Sequence, residues 1–141
     1  MKRVFSAILV CAVLLSCCVS AFAVTESVER AANVLSTYNA SASAGANSGE
    51  VKISFNASAN QRATSIGASS IVIRKSDGSY VTTIKGSTGN GLMALNASRK
   101  SGSYTYKGTP GVSYYAVVTI TASAGGETDN KTVTTNRAQA K

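Results

Sequence analysis

At 141 residues, with a formal net charge of +8, no histidine and no tryptophan, the chain is short, basic and poor in catalytic side chains. Its three cysteines, Cys11, Cys17 and Cys18, all fall in the first 18 residues. Beyond them no thiol nucleophile, disulfide, imidazole base or His/Cys metal site can be built.

Lys2 and Arg3 make a positive start, the apolar run Val4–Leu15 is broken only by Ser6, and Ala21-Phe22-Ala23 supplies the small-x-small pattern of a peptidase site. The run is shorter than the roughly 20 apolar residues a spanning helix needs. It therefore predicts a secretory signal peptide over 1–23, export to the extracellular space and no transmembrane segment. The alternative is a lipoprotein signal, since Leu14-Leu15-Ser16-Cys17 loosely matches a lipobox and would leave the chain lipid-anchored at Cys17. The bulky Leu15 and the Cys18-Val19 that follows weigh against it. Losing Lys2 and Arg3 with the signal takes the charge from +8 to +6.

Residues 24–34 read as a flexible leader or a short helix, with Val28, Ala31, Ala32 and Leu35 at helical spacing. From Leu35 the pattern turns to period two. Tyr38, Ala40 and Ala42 share one face of a first strand, and Val51, Ile53 and Phe55 alternate with Lys52, Ser54 and Asn56 in a second. Asn60–Thr64 is polar and predicts a loop. Ser69–Lys75 and Tyr80–Lys85 flank Ser76-Asp77-Gly78-Ser79, a hairpin signal. With Asp77 and Gly78 in the two turn positions, Lys75 pairs with Tyr80, Ile73 with Thr82 and Ile71 with Ile84, which gathers three isoleucines and Tyr80 on one face. The other face pairs Arg74 with Val81, Val72 with Thr83 and Ser70 with Lys85.

Gly86–Gly91 is a loop, Leu92–Leu95 a short apolar segment, and Ser103–Lys107 alternates Tyr104 and Tyr106 about Thr105. Thr109-Pro110-Gly111 predicts a turn. Tyr114, Ala116, Val118, Ile120 and Ala122 then line one face of what reads as the longest strand; Gly125-Gly126 closes it, and Lys131–Arg137 returns around Val133. Residues 138–141 read as a disordered tail.

Seven or eight short strands with regular turn signals predict an all-β fold, an antiparallel β-sandwich over residues 35–137. Within it, Pro110-Gly111-Val112-Ser113-Tyr114-Tyr115-Ala116-Val117-Val118 resembles the turn and strand F of fibronectin type III and bacterial immunoglobulin-like domains. The resemblance implies an immunoglobulin-like sandwich of the disulfide-free branch, with Tyr114 in the structural role of a tyrosine corner. The chain also resembles small secreted Gram-positive bacterial proteins of unknown function. The likeness lies in Ser20-Ala21-Phe22-Ala23, Ile66-Gly67-Ala68-Ser69-Ser70-Ile71-Val72-Ile73 and Ser113-Tyr114-Tyr115-Ala116-Val117-Val118-Thr119. It implies secretion and one compact domain, and transfers no activity.

The acids after the signal are Glu26, Glu29, Glu50, Asp77, Glu127 and Asp129. Only Glu127 and Asp129 lie close together, and with Asn130 they fall short of the six to eight oxygens that Ca²⁺ takes; they read as a solvated loop. Without His or Cys, nucleophilic catalysis is reduced to a Ser–Lys dyad, which Arg99-Lys100-Ser101 does not specify. No enzyme, catalytic residue, metal or cofactor is expected. Four N-glycosylation sequons begin at Asn39, Asn56, Asn96 and Asn130 and would stay bare in a bacterium.

Basic residues gather mildly at Arg74-Lys75 with Lys85, and at Arg99-Lys100 with Lys107. Tyr104 and Tyr106 lie inside the second group, so Arg99, Lys100, Tyr104, Tyr106 and Lys107 form the candidate ligand-binding set. Cations would hold acidic groups and rings would offer flat apolar faces. The competing reading buries both tyrosines and leaves the charges as solvated edge residues. The expected function is a secreted, non-enzymatic binding protein whose partner is an anionic glycan, a cell-wall polymer or a host surface protein, with no nucleic acid. The alternatives are a cationic effector acting on host or competitor cells and a self-assembling structural subunit.

Overall fold

Alternating apolar and polar residues make strands here, because a pleated backbone turns successive side chains to opposite faces. The computed structural model describes residues 33–141. The expected signal at 1–23 and the leader up to residue 32 lie outside the described residues. Seven strands follow one another: β1 (Leu35–Ala44), β2 (Glu50–Lys75), β3 (Tyr80–Lys85), β4 (Met93–Lys107), β5 (Ser113–Ala124), β6 (Glu127–Thr134) and β7 (Ala138–Gln139). All pair antiparallel, and no described residue is helical.

Two expectations change at β2. The polar run Asn60–Thr64 is not a loop but the middle of a single 26-residue strand, which also displaces β5 as the longest. It stays extended because its backbone is held on both sides. Asn60 N–H donates to the Val34 carbonyl at 2.9 Å, and Ala63 pairs with Ala97 of β4. Leu92–Leu95 and Ser103–Lys107 likewise merge into one strand, β4, that follows β2 along nearly its whole length.

The β2–β4 ladder breaks once. β2 advances from Ser58 to Ala63 while β4 moves only from Arg99 to Ala97. A bulge of this kind bends the strand and raises its twist. Before the break, β2 lies between β1 and the Arg99–Lys107 part of β4; after it, β2 lies between β5 on one edge and the start of β4 and then β3 on the other. Instead of the two separate sheets expected of a sandwich, one sheet curls on itself, because β2 runs through both halves.

The concave face carries the core. Val51, Ile53, Phe55, Ile66, Ile71, Ile73, Val118 and Ile120 are each at most 3% exposed, and burying such a side chain contributes about 1.5–3 kcal/mol. β5 shows strict alternation, every second residue from Tyr114 to Ala124 being buried, as its sequence predicts.

The curl leaves β1 and β6 as the outermost strands of the β1-β2-β5-β6 path. Side chains bridge them. Asn136 Oδ1 accepts the Ala42 N–H at 3.0 Å and Asn136 Nδ2 donates to the Ala42 carbonyl at 2.8 Å. Asp129 Oδ2 accepts the Leu35 N–H at 3.2 Å. Asp129 is 5% exposed and pairs with Lys131 Nζ at 3.4 Å, so the expected solvated loop at 127–130 is instead the start of β6 with a buried carboxylate.

The tail is also corrected. Ala138 and Gln139 form β7 against Tyr114 and Ser113, and Ala140 is buried. Ala138 and Ala140 carry the inward face here, and backbone bonds from Ala140 N–H to Val112 and from Gly111 N–H to the Ala140 carbonyl, both 2.9 Å, hold it.

Tyr114 anchors the turn before β5. Its hydroxyl accepts the Thr109 N–H at 3.0 Å, and its ring meets Tyr106 edge-on, with centroids 5.3 Å apart at 68°. Gly108 is required beside them: a Cβ there would stand 2.7 Å from the Tyr114 ring and 2.8 Å from Tyr106.

Candidate functional site

The five residues picked out in sequence do not converge. Along β4 the pleat sends Arg99 and Lys107 to the convex face and Lys100, Tyr104 and Tyr106 to the concave one. Tyr104 and Tyr106 stand opposite Ile53 and Val51 and pack against the core; Lys100, half-buried, stands opposite Ala57. Burial, with the neighbouring Tyr114 and Tyr104, raises the Tyr106 phenol above its ordinary pKa, so it remains a neutral packing group. Lys107 sits opposite Glu50, whose carboxyl is held low chiefly by hydrogen bonds from Asn47 and secondarily by Lys107. Arg99 and Lys107 lie eight residues apart on one strand, about 26 Å when extended.

A different constellation assembles on the convex face of the other half. The Asp77-Gly78 hairpin pairs Ser70 with Lys85, Ile71 with Ile84, Val72 with Thr83 and Ile73 with Thr82, as the sequence predicts. Its tip departs from the two-residue turn. Gly78 N–H donates to the Lys75 carbonyl at 2.9 Å, Lys75 N–H donates to Ser79 at 3.0 Å, and Gly78 takes φ 89°. This is a three-residue loop closed by a glycine in the left-handed region. Asp77 Oδ1 supports it by accepting the Ser79 N–H at 2.8 Å, and these Ser79 bonds lower the Asp77 pKa. The extra residue shifts the register between Ile73 and Arg74, so Arg74 pairs with Tyr80. Tyr80 thereby leaves the isoleucine face expected for it and turns to the convex face.

On its other edge Arg74 pairs with Tyr115 of β5, and Arg137 lies over the Tyr115 ring at 5.9 Å. The result is one row across the strands: Tyr80, Arg74, Tyr115, Arg137. Directly opposed residues stand about 4.5–5.5 Å apart at Cβ, so the groups form a continuous surface. Arg74 Nη1 donates to the Gly78 carbonyl at 2.8 Å, which fixes its guanidinium. The Arg137 side chain is exposed and donates no hydrogen bond among the described residues. Tyr80 is 61% exposed. Beside the row, Tyr115, Thr134, Asn136 and Arg137 line a pocket of about 330 Å³. Lys85 lies further along the same face, opposite Ser70.

Ring faces that stack on apolar surface, alternating with guanidiniums that fork onto oxyanions, suit a ligand with flat C–H faces and acidic groups. The four residues are scattered over 64 positions of sequence. Only a correct hairpin tip would have revealed the Tyr80–Arg74 pair. Among the described residues no group of three or more His, Cys, Asp or Glu side chains comes together, and no helix is long and apolar enough to cross a membrane.

No protein-family model matches the chain, and no curated protein matches it. Among solved structures it is similar to a family 76 glycoside hydrolase from a bovine Bacteroides thetaiotaomicron strain, at 12% identity and a TM-score of 0.46. The match takes in 77% of this chain and 20% of that one, so the chain spans about a fifth of that protein's length.

Proposed function

We propose that this chain is a secreted, non-enzymatic extracellular binding protein whose ligand is an anionic glycan or cell-wall polymer held on the convex face of the curled sheet. The observation that carries this reading is the Tyr80–Arg74–Tyr115–Arg137 row, in which the Gly78 carbonyl fixes Arg74 and Arg137 lies over the Tyr115 ring. Rigid presentation matters because immobilising a free side chain on binding costs about 0.5–1.5 kcal/mol. The basic balance of the chain adds attraction for a negatively charged polymer. Export rests on the signal pattern of residues 1–23.

The parent plan we assign is the immunoglobulin-like sandwich, altered by letting one strand serve both layers. Its support is the Tyr114 hydroxyl bonded to the Thr109 N–H, the arrangement a tyrosine corner makes. The chain's likeness to small secreted Gram-positive proteins accords with this placement.

The test is a glycan and cell-wall-polymer array at low and high salt, with Arg74→Gln, Arg137→Gln and Tyr115→Ala beside the unaltered protein. Binding that weakens with salt and falls at least about tenfold in each arginine variant is expected, since a charge-assisted hydrogen bond is worth about 1.5–3 kcal/mol, and Tyr115→Ala is expected to weaken it by removing the stacking face. Binding untouched by all three substitutions would remove the row from the mechanism, and no binding at either salt would refute the proposed ligand class.

A further inference from the structure

The bend of β2 makes a second polar concavity, apart from the Tyr–Arg row. Between Ser58 and Ala63 the β2–β4 ladder has no paired residues, and the gap opens a shallow groove of about 690 Å³. Its walls carry Arg62 and Arg99, with Asn60, Gln61, Asn96 and Ser98 around them. Arg62 Nε donates to the Asn96 carbonyl at 2.7 Å, which spans the gap and holds the guanidinium; its two terminal NH₂ groups donate no hydrogen bond among the described residues. Asn96 adopts φ 51°, the one non-glycine left-handed residue among those described. That conformation costs energy for most side chains and is tolerated by asparagine. It belongs with the bulge that opens the groove.

Neither arginine has a carboxylate partner among the described residues, where the one ion pair is Lys131–Asp129. We propose that this groove is a binding site for an acidic sugar, a uronate whose carboxylate is taken by Arg62 and Arg99. A guanidinium matches a carboxylate fork to fork. The neutral donors and acceptors of Asn60, Gln61, Asn96 and Ser98 match the hydroxyls of a pyranose. Ala59 and Ala97 supply the small apolar part of the lining, and no aromatic residue does. With two alanines as its apolar lining and six polar or charged residues around them, the groove favours a polar ligand over an apolar one. The volume falls in the usual range of about 300–1,000 Å³ for small-ligand sites. The inference rests on the glycan reading only for the class of polymer; the groove itself uses none of the residues of the row.

The experiment is an NMR titration of the purified protein that follows the arginine side-chain N–H signals. The probes are trigalacturonic acid, the neutral galactotriose of the same linkage, sodium acetate and acetylated triglutamate at equal carboxylate concentration. Trigalacturonic acid is expected to shift the Arg62 and Arg99 signals saturably. Arg99→Gln, a substitution at an exposed side chain, is expected to weaken that binding at least about tenfold, and Lys52→Gln, at an exposed lysine outside both the groove and the row, to leave it unchanged. An equal response to galactotriose, acetate or triglutamate, or full affinity in Arg99→Gln, would overturn the proposal. Shifts at Arg74 and Arg137 without shifts at Arg62 and Arg99 would overturn the groove and leave the row standing; the converse would leave the groove standing alone.

Discussion

Asn136→Ala removes the amide that ties β1 to the segment just after β6. The side chain makes two neutral hydrogen bonds to one residue, at 3.0 Å from the Ala42 N–H and 2.8 Å to its carbonyl, and so imitates a paired strand residue. A typical intramolecular hydrogen bond contributes about 0.5–1.5 kcal/mol net. Because Asn136 is exposed, water can replace part of what is lost. The expected cost is about 1–2 kcal/mol, or roughly 5–12 °C in Tm for a domain of this size. Urea denaturation followed by circular dichroism measures it. Hydrogen exchange at the Ala42 amide supplies the local readout, because its protection is expected to fall more than that of Ile53 or Ile120 in the strand interiors. Asn136→Asp keeps the acceptor for Ala42 N–H but sets a second acceptor against the Ala42 carbonyl, so it is expected to match or exceed the alanine cost. A change within the roughly 0.5 kcal/mol of an ordinary surface substitution, with unaltered Ala42 protection, would refute the assignment of Asn136 as a closing residue.

Tyr114→Phe removes the hydroxyl that accepts the Thr109 N–H and is expected to cost about 1 kcal/mol in denaturant unfolding; by replacing one phenol it also changes the near-ultraviolet signature of the ring pair. Gly108→Ala drives a methyl into the Tyr106 and Tyr114 rings and is expected to cost about 1–3 kcal/mol and to change that signature. At high pH the unfolded Tyr106 phenol ionises first, since burial raises the folded value above 10.0. Stability present below pH 10.0 is therefore lost as pH climbs through the folded value, and Tyr106→Phe is expected to flatten that limb of a pH–stability profile. Glu50 and Asp77 behave oppositely, their folded values lying below 4.5 and 3.8. The stability they add is present above those values and lost as pH falls through the folded ones, a loss that Glu50→Gln and Asp77→Asn are expected to remove.

What could be read from sequence was whatever local periodicity dictates. The alternation from Tyr114 to Ala122 names the buried face of β5, and four pairs of the β2–β3 hairpin follow from Asp77-Gly78. The bond from the Thr109 N–H to the Tyr114 hydroxyl is of the kind that the resemblance of Pro110–Val118 implied. The continuity of β2 was not, because Asn60–Thr64 has the composition of a loop and stays extended only through partners far away in sequence, Val34 and Ala97. Asp129 looked solvated because nothing near it reveals that Leu35 will bring a backbone donor against it. The five-residue set is divided by parity: Arg99 and Lys107 carry odd numbers and Lys100, Tyr104 and Tyr106 even ones, so a single strand sends them to two faces. The row at Tyr80 hinged on one residue in the turn, where a glycine bulge reverses the face of everything between it and the next register break.

Threading a single strand through both halves of the sheet also governs how the molecule comes apart. A cut within 50–75 withdraws pairing partners from β1, β3, β4 and β5 together, so neither half is a fragment that can keep its structure alone. Loss of order is therefore expected to spread through all seven strands, with different spectroscopic probes reporting one common transition. The same arrangement delays assembly. β2 must wait for β4 and β5 to be in reach before most of its ladder can form, and pairings between such distant stretches slow folding at a given stability. That delay keeps the chain open for longer after synthesis.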